Sequence, residues 1–413
     1  ALPGSATLLM ETFRPVDEEQ LREVVAWAVS NELPLDVVGA ASKCALGRPG
    51  NLPARIETGS LSGISWYEPT ELALTAGAGT PIADIEARLA ENCQQLAFEP
   101  PDLGPLLGAP AVAATLGGTI ACNLSGPRRV SAGAARDHFL GLRAISGRAE
   151  IFKSGGRVVK NVSGYDLCKA LAGSYGTLAV LSEITVKVLP APEKTRTVLV
   201  YAQSDADGIA LLGKAAASPL SPSGLAHLTA DMAMRSAVEY ISGNACSVTA
   251  VRIEGTEASV LARTEAMRRL LGGVAAVEEL HGYNSVAFWK EIASAAPVIV
   301  QDGSIWRLSI PPSVATEIVA AIDCEACFYD WAGGLVWVVM TSGGDGGAAT
   351  IRNAIAKARA GGHATLVRGD AELRARVPVF EPQPAPLTAL SARLKAQFDP
   401  KGVLNPGRMV AES

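Results

Sequence analysis

Between Leu103 and Pro127 the chain runs for 25 residues without a charged side chain. A stretch of that length and polarity either crosses a membrane as a helix or lies buried inside a folded protein. Pro105, Pro110, four glycines before Leu124, and Asn123 make it a poor lipid-facing helix, because hydrocarbon offers no partner to the backbone groups such breaks set free. It reads instead as buried backbone near a ligand. Gly117 and Gly118 would let two chain segments, or a chain and a flat ring, come close. Any fold for this chain has to enclose that segment.

The remaining composition is that of an ordinary soluble globular protein, with 48% hydrophobic and 19% charged residues over 413 positions, enough for two or three domains. A net charge of −5 and the lack of a Lys/Arg block give no general attraction to nucleic acid. Seven scattered cysteines, an odd number, argue against a disulfide framework and for a reducing compartment. No charged n-region followed by a long apolar core opens the chain, so no signal peptide is read. The expected location is cytoplasmic, with any membrane association peripheral.

In chain order, Asp17-Glu-Glu-Gln20 predicts a helix N-cap with a reciprocal partner, and Leu21, Val24, Val25, Ala28 and Val29 follow at helical spacing. Leu35–Val38 reads as a strand entering the small-residue loop Gly39–Gly47, which carries Lys43. Strand, small loop and lysine is the logic of phosphate binding, although P-loop spacing is absent. Glu71–Ala76 alternates as a strand running into Gly77-Ala-Gly-Thr80, where Thr80 is expected to cap the next helix and Pro81 to sit in its first turn. Leu140–Ser146 and Glu150–Lys153 read as paired strands, with Ser154–Gly156 as a further hairpin turn. In Lys160–Pro190, Gly164, Gly173 and Gly176 punctuate a short helix, Tyr165–Ala172, before Ile184, Val186 and Val188 alternate with Thr185 and Lys187. Donors on Lys160, Tyr165 and Lys169 surround bare backbone there, a wall suited to a phosphate-bearing or flat polar cofactor.

Leu189-Pro-Ala-Pro-Glu193 marks a linker, beyond which the pattern changes to an α+β domain built on an antiparallel sheet with helices on one side. The expected domains are residues 1–190, 193–375, and a turn-rich tail, 376–413, packed back on the first.

Taken together and in order, Gly39–Gly47, Gly77–Thr80, Pro100–Asp102, Thr115–Gly126, Asn161–Asp166, Gly173–Leu178 and the tail Asp399–Gly407 resemble the flavin-binding domain shared by vanillyl-alcohol oxidase, p-cresol methylhydroxylase and their relatives. More narrowly, Gly39-x-x-Ser-Lys43, Gly126-Pro-Arg-Arg129, Lys160-Asn-Val-x-Gly-Tyr-Asp166, Asp330-Trp-x-Gly-Gly334 and Gly361-Gly-His-Ala-Thr365 resemble the FAD-binding E subunits of bacterial glycolate oxidases. The likeness spans nearly the whole chain. It implies two α+β subdomains holding FAD, with an antiparallel-sheet cap over the ring. It also implies a second flavin subunit and an iron–sulfur subunit as partners in oxidising glycolate, and D-lactate as a related substrate, with electrons passing to quinone.

Carried over residue by residue, Gly39, Ala40, Ala41, Ser42 and Lys43, with Gly77, Ala78, Gly79 and Thr80, line the pyrophosphate. Thr115, Gly117, Gly118, Asn123 and Gly126 lie along the middle of the cofactor, and Pro101, Asp102 and Asn405 add contacts. Asn161, Gly164, Tyr165, Gly173, Gly176 and Leu178 close the other side. The first loop lacks the His that often attaches flavin covalently, so the FAD is expected to be non-covalent. The cap lacks the His-x-Gly-Asp-Gly-Asn-type motif of related 2-hydroxy-acid dehydrogenases. That absence favours a flavin-bearing subunit whose partner does the chemistry over an autonomous FAD-dependent 2-hydroxy-acid dehydrogenase.

Four features compete for attention. Gly344-Asp-Gly-Gly-Ala-Ala349 fits a dinucleotide-binding fingerprint, but the βαβ succession that a doubly wound sheet requires is missing around it. Cys324 and Cys327 have no second cysteine pair to complete a zinc site, and no metal is expected. Arg307, between Trp306 and Leu308 on an expected strand, could fork onto a substrate carboxylate or be a surface strand residue, and His363, the other candidate substrate group, reads more readily as a structural imidazole. Arg128 and Arg129 could hold cofactor phosphate or a partner subunit.

Overall fold

A computed structural model of the protein describes residues 10–50, 52–158, 164–272, 277–299, 302–341 and 343–411. The first helix, Glu18–Asn31, starts as its sequence requires: the Asp17 carboxylate accepts from the Gln20 N–H at 2.8 Å, and Leu21, Val25 and Ala28 are buried. It covers a small parallel sheet with the strand order Glu11–Phe13, Ala54–Glu57, Leu35–Val38. Beside it lies a five-stranded antiparallel sheet, ordered Ile64–Glu68, Ala73–Gly77, Ala179–Lys187, Phe139–Ser146, Ile151–Gly155. Ile184, Val186 and Val188 are fully buried, as their alternation requires.

Two local expectations are corrected. The helix Ile82–Ala90 has Pro81 at its N-cap and no side-chain cap; the Thr80 hydroxyl instead accepts from Gly63 N–H at 2.9 Å, tying two loops together. Ser154 and Gly155 continue their strand rather than turn, and Gly156 N–H still donates to Leu140 O at 3.1 Å.

Residues 194–368 carry an eight-stranded sheet, antiparallel at every neighbour. Its order is Val277–His281, Lys194–Tyr201, Val248–Gly255, Gly224–Leu228, Ala326–Asp330, Leu335–Met340, Ser304–Ser309, His363–Arg368. One face packs on the helices Asp205–Ala216, Glu257–Leu271, Ala315–Ile322 and Ala348–Ala358. The opposite face is not bare: Phe288, Trp289 and Ile292 of the helix Gly282–Ala293 cover part of it.

Leu46, Leu103, Leu106 and Leu124 of the N-terminal region cover another part of the same face. The charge-free stretch therefore enters the seam between the two regions through Leu103, Leu106 and Leu124, each contributing about 1.5–3 kcal/mol on burial, while Pro110, Ala111 and Val112 within it are exposed. Among the described residues no helix is long and apolar enough to cross a membrane.

The tail divides in two. Helix Ala385–Phe398 buries none of its residues. The chain then returns to the parallel sheet, where Leu35 N–H donates to Val403 O at 2.7 Å and Asn405 N–H to Leu35 O at 3.0 Å.

The dinucleotide-like turn is filled by its own side chain. Asp345 accepts from Gly347 N–H at 3.0 Å and Ala349 N–H at 2.7 Å, where a phosphate would have to sit. The preceding strand is antiparallel to both neighbours, so no Rossmann unit exists there.

Candidate functional site

A cleft of about 670 Å³ opens where the strand Leu35–Val38 ends, lined by 39–44, Ala78, Thr115, Gly117, Gly118, Ala121, Cys122, Tyr175, Gly176 and Arg408, among others. The walls are almost all small residues, and Lys43 stands among them. The lysine is 8% exposed, and among the described residues the polar contact of its ammonium is a 3.5 Å approach to the Ser42 hydroxyl. No carboxylate lies within ion-pair range of it among the described residues. Burial pushes its pKa down, with weaker opposing attraction from Cys122 and Asp102. A buried ammonium without an ion-pair partner among the described residues, in a cleft of this size, fits an anionic group of a ligand.

The glycines serve different purposes. A Cβ on Gly117 would lie 2.8 Å from Ala78 O, and on Gly77 or Gly79 it would lie 2.2 Å from Leu61 O or 2.1 Å from Thr58 O. Those three admit neighbouring protein backbone. On Gly118 the nearest atoms would be Thr115 Oγ1 at 3.2 Å and Lys43 Nζ at 3.6 Å, so this residue opens the backbone towards the cleft. Gly176 has φ of +70° and faces the Asn405 amide.

Several other expected contacts stand behind the cleft with their polar atoms already engaged. Asn405 accepts from Val37 N–H at 2.7 Å and donates to Tyr175 O at 2.8 Å. Asn123 accepts from Arg136 N–H at 3.0 Å, and Asp102 accepts from Gly104 N–H at 3.1 Å and Val112 N–H at 2.6 Å. Leu178 is buried in the core, and Gly173 packs on Asn123. The structure does not bring Tyr165 to the cleft, for it is 92% exposed, and a Cβ on Gly164 would meet no atom of the described residues within 4 Å. Lys160 and Asn161 fall outside the described residues.

A second cavity, about 340 Å³, lies between the two regions and is lined by Pro101, Leu103, Leu124, Ser125, Gly126, Ile292, Ala293, Arg307, Asp330, Leu335 and Trp337. Trp331 sits beside it, its indole N–H donating to Gly126 O at 3.1 Å. Two guanidiniums rest against that indole, Arg129 at 4.6 Å and Arg307 at 5.0 Å from the ring centroid. Among the described residues neither side chain makes an ion pair or hydrogen bond. Burial, then repulsion from Arg129, brings Arg307 down to about 10. Burial and then Arg136 lower Arg129. Burial raises Asp330 to about 7, opposed by the hydrogen bond from Trp331 N–H. His363 begins its strand at an exposed position outside both linings.

Arg128, next to Arg129 in the chain, and Arg252 are matched. Arg252 on the cap sheet donates to both Glu99 oxygens at 2.8 and 3.0 Å, and Arg128 donates to both Glu254 oxygens at 3.0 and 2.9 Å. Each region contributes one arginine and one carboxylate. Burial pushes Glu254 up, but Arg252 and Arg128 outweigh it and hold the acid at about 2. The sequence reading did not identify Trp331 and Asp330 as site residues, although the Asp330–Gly334 motif contains both. The Glu99–Arg252 and Glu254–Arg128 pairing left no signal in the sequence, since its members lie 126 and 153 positions apart.

Residues 11–155 match the family described as FAD binding domain. The chain is 37% identical to the glycolate oxidase subunit GlcE of Escherichia coli over 95% of this chain and 97% of that one. It is 26% identical to the glycolate oxidase subunit GlcD of Bacillus subtilis over 76% of this chain and 71% of that one. A crystal structure of p-cresol methylhydroxylase with substrate bound superposes with a TM-score of 0.67 at 12% identity, covering 97% of this chain and 88% of that one. That last likeness establishes the fold.

Proposed function

The chain belongs to the FAD-binding oxidoreductase family that includes the glycolate oxidase E subunit, and from that premise we propose that it is the FAD-carrying subunit of a multi-subunit enzyme oxidising glycolate, and D-lactate beside it, to the 2-oxo acid. In this reading a second flavin subunit and an iron–sulfur subunit complete the assembly and pass electrons to quinone. FAD, when bound, supplies the hydride acceptor.

The protein's own part is to bind and orient. Gly39–Lys43 and Gly118 take the pyrophosphate, with Lys43 as its counter-charge. Ala78, Thr115, Tyr175 and Gly176 line the rest of the path. Gly77, Gly79, Gly117 and Asn405 act one step back, by letting those segments pack.

The observation that carries the reading is the buried, unpaired Lys43 in a cleft walled by small residues. Acid denaturation of the purified protein tests it: the flavin is expected in the supernatant as intact FAD. A colourless protein that cannot be reconstituted with FAD contradicts the reading; flavin that stays with the precipitate contradicts only its non-covalent attachment. The alternative, an autonomous 2-hydroxy-acid dehydrogenase, gains support from one observation, the two unpaired arginines at Trp331.

A further inference from the structure

Taking two charges out of water is costly unless each finds a counter-charge and hydrogen bonds, and proteins rarely leave a desolvated guanidinium unmatched. Arg129 and Arg307 both contact the Trp331 indole, both are desolvated, and neither has a carboxylate in ion-pair range among the described residues. They also repel one another. Stacking on an indole leaves the five N–H donors of each fork unused. Nothing in the fold forces this arrangement, since Arg128 and Arg252 close by are paired by bidentate bonds. The cavity lined by Arg307 has apolar walls from Leu103, Leu124, Ile292, Leu335 and Trp337, which suit a short carbon skeleton; Ser125 and the buried Asp330 carboxyl complete it, and Arg129 stands outside that lining on Trp331.

We propose that Arg129 and Arg307, held on Trp331, form a carboxylate-binding site on this chain for a small 2-hydroxy acid. The planar forks match a carboxylate in two parallel hydrogen bonds, and the apolar walls receive the hydrogen or methyl on its second carbon. Substrate would then be held by this subunit itself rather than solely by its partner. The choice of a 2-hydroxy acid rests on the function proposed above; the existence of an anion site does not.

The test is calorimetric titration of the FAD-loaded protein with oxalate, a two-carbon acid that has no hydride to give, alongside glycolate, its neutral isostere glycolamide, and inorganic phosphate. Oxalate and glycolate are expected to bind and glycolamide not. Arg307→Met and Arg129→Met should each weaken oxalate at least tenfold while keeping flavin absorbance, and their ligand-free Tm should equal or exceed that of the unaltered protein. Arg307→Lys should keep the charge but lose most of the affinity, because the fork is gone.

Unchanged oxalate affinity in Arg307→Met, equal binding of glycolamide and glycolate, or phosphate binding where glycolate does not, would each overturn the proposal. So would failure of both Met variants to fold, which would make the arginines structural. Oxalate binding by a protein that takes up no FAD would contradict the flavoprotein reading and leave the site standing.

Discussion

Arg128 and Arg129 are neighbours in sequence with opposite fates. Arg128 reaches across the seam to Glu254, while Glu99 beside it in space takes Arg252 from the cap sheet, so four buried charges cancel in pairs. Arg129 turns to Trp331 with Arg307, and neither has an ion-pair partner among the described residues. The same residue type, at similar burial, is in one place a clasp between two regions and in the other a receptor awaiting its anion. Burial alone does not distinguish the two; the presence or absence of a counter-charge does.

The largest expected effect follows from breaking the clasp. Arg252→Met leaves Glu99 and Glu254 sharing a single cation, and loss of one partner from a buried charge cluster costs about 3–5 kcal/mol. Denaturant unfolding should show a midpoint well below that of the unaltered protein. A shift of less than about 1 kcal/mol would mean that water already reaches the cluster.

Next comes a comparison of adjacent glycines. Gly117→Val pushes into Ala78 backbone and should lower both thermal stability and FAD content. Gly118→Val faces the cleft, so it should lose FAD while the cofactor-free protein keeps its Tm. Full FAD content in Gly118→Val would remove the cofactor from that wall.

Lys43→Met should weaken FAD binding by about tenfold or more, in keeping with a lost charge-assisted contact to phosphate, and should not lower the stability of the cofactor-free protein. Equilibrium dialysis against FAD reads the first quantity and a thermal melt the second. A less stable cofactor-free variant with normal FAD affinity would make the lysine structural.

The smallest effect concerns pH. Asp330, facing Arg252, Arg307 and Glu99 and bonded to Trp331 N–H, has its folded pKa raised by burial from 3.8 to about 7. Between those values the folded state holds the proton more tightly than the unfolded chain. Its contribution to stability is therefore fully present below pH ~3.8 and is lost as pH rises through about 7. Asp330→Asn keeps the acceptor for Trp331 N–H and should flatten the fall in Tm between pH 5 and 8. An unchanged slope would place the titration elsewhere.

Much of the fold was legible because it follows from local pattern. Asp17 caps its helix, Ile184 to Val188 alternate into the core, and the charge-free run buries Leu103, Leu106 and Leu124 in the seam although residues 110–112 are exposed. The cleft was legible in outline, since small residues and one lysine converge only if the loop 39–44 meets the helix start at 115–118. What sequence could not show was which glycine serves the ligand and which serves neighbouring backbone, because that depends on what stands 2–4 Å from an absent Cβ. Nor could it show that Asn123, Asp102 and Asn405 are occupied by backbone, or that Arg128 is matched and Arg129 is not. Those facts depend on partners separated from them by roughly ten to several hundred positions.

The contrast between the two arginines is tested most directly by one pair of thermal melts on the FAD-loaded, substrate-free protein. Arg128→Met should melt clearly below the unaltered protein, because it strips Glu254 of its bidentate partner. Arg129→Met should melt at or above it, because it removes a desolvated charge that has no ion-pair partner among the described residues. Equal losses in both variants would contradict the account, for Arg129 would then be part of the clasp and not the wall of a site.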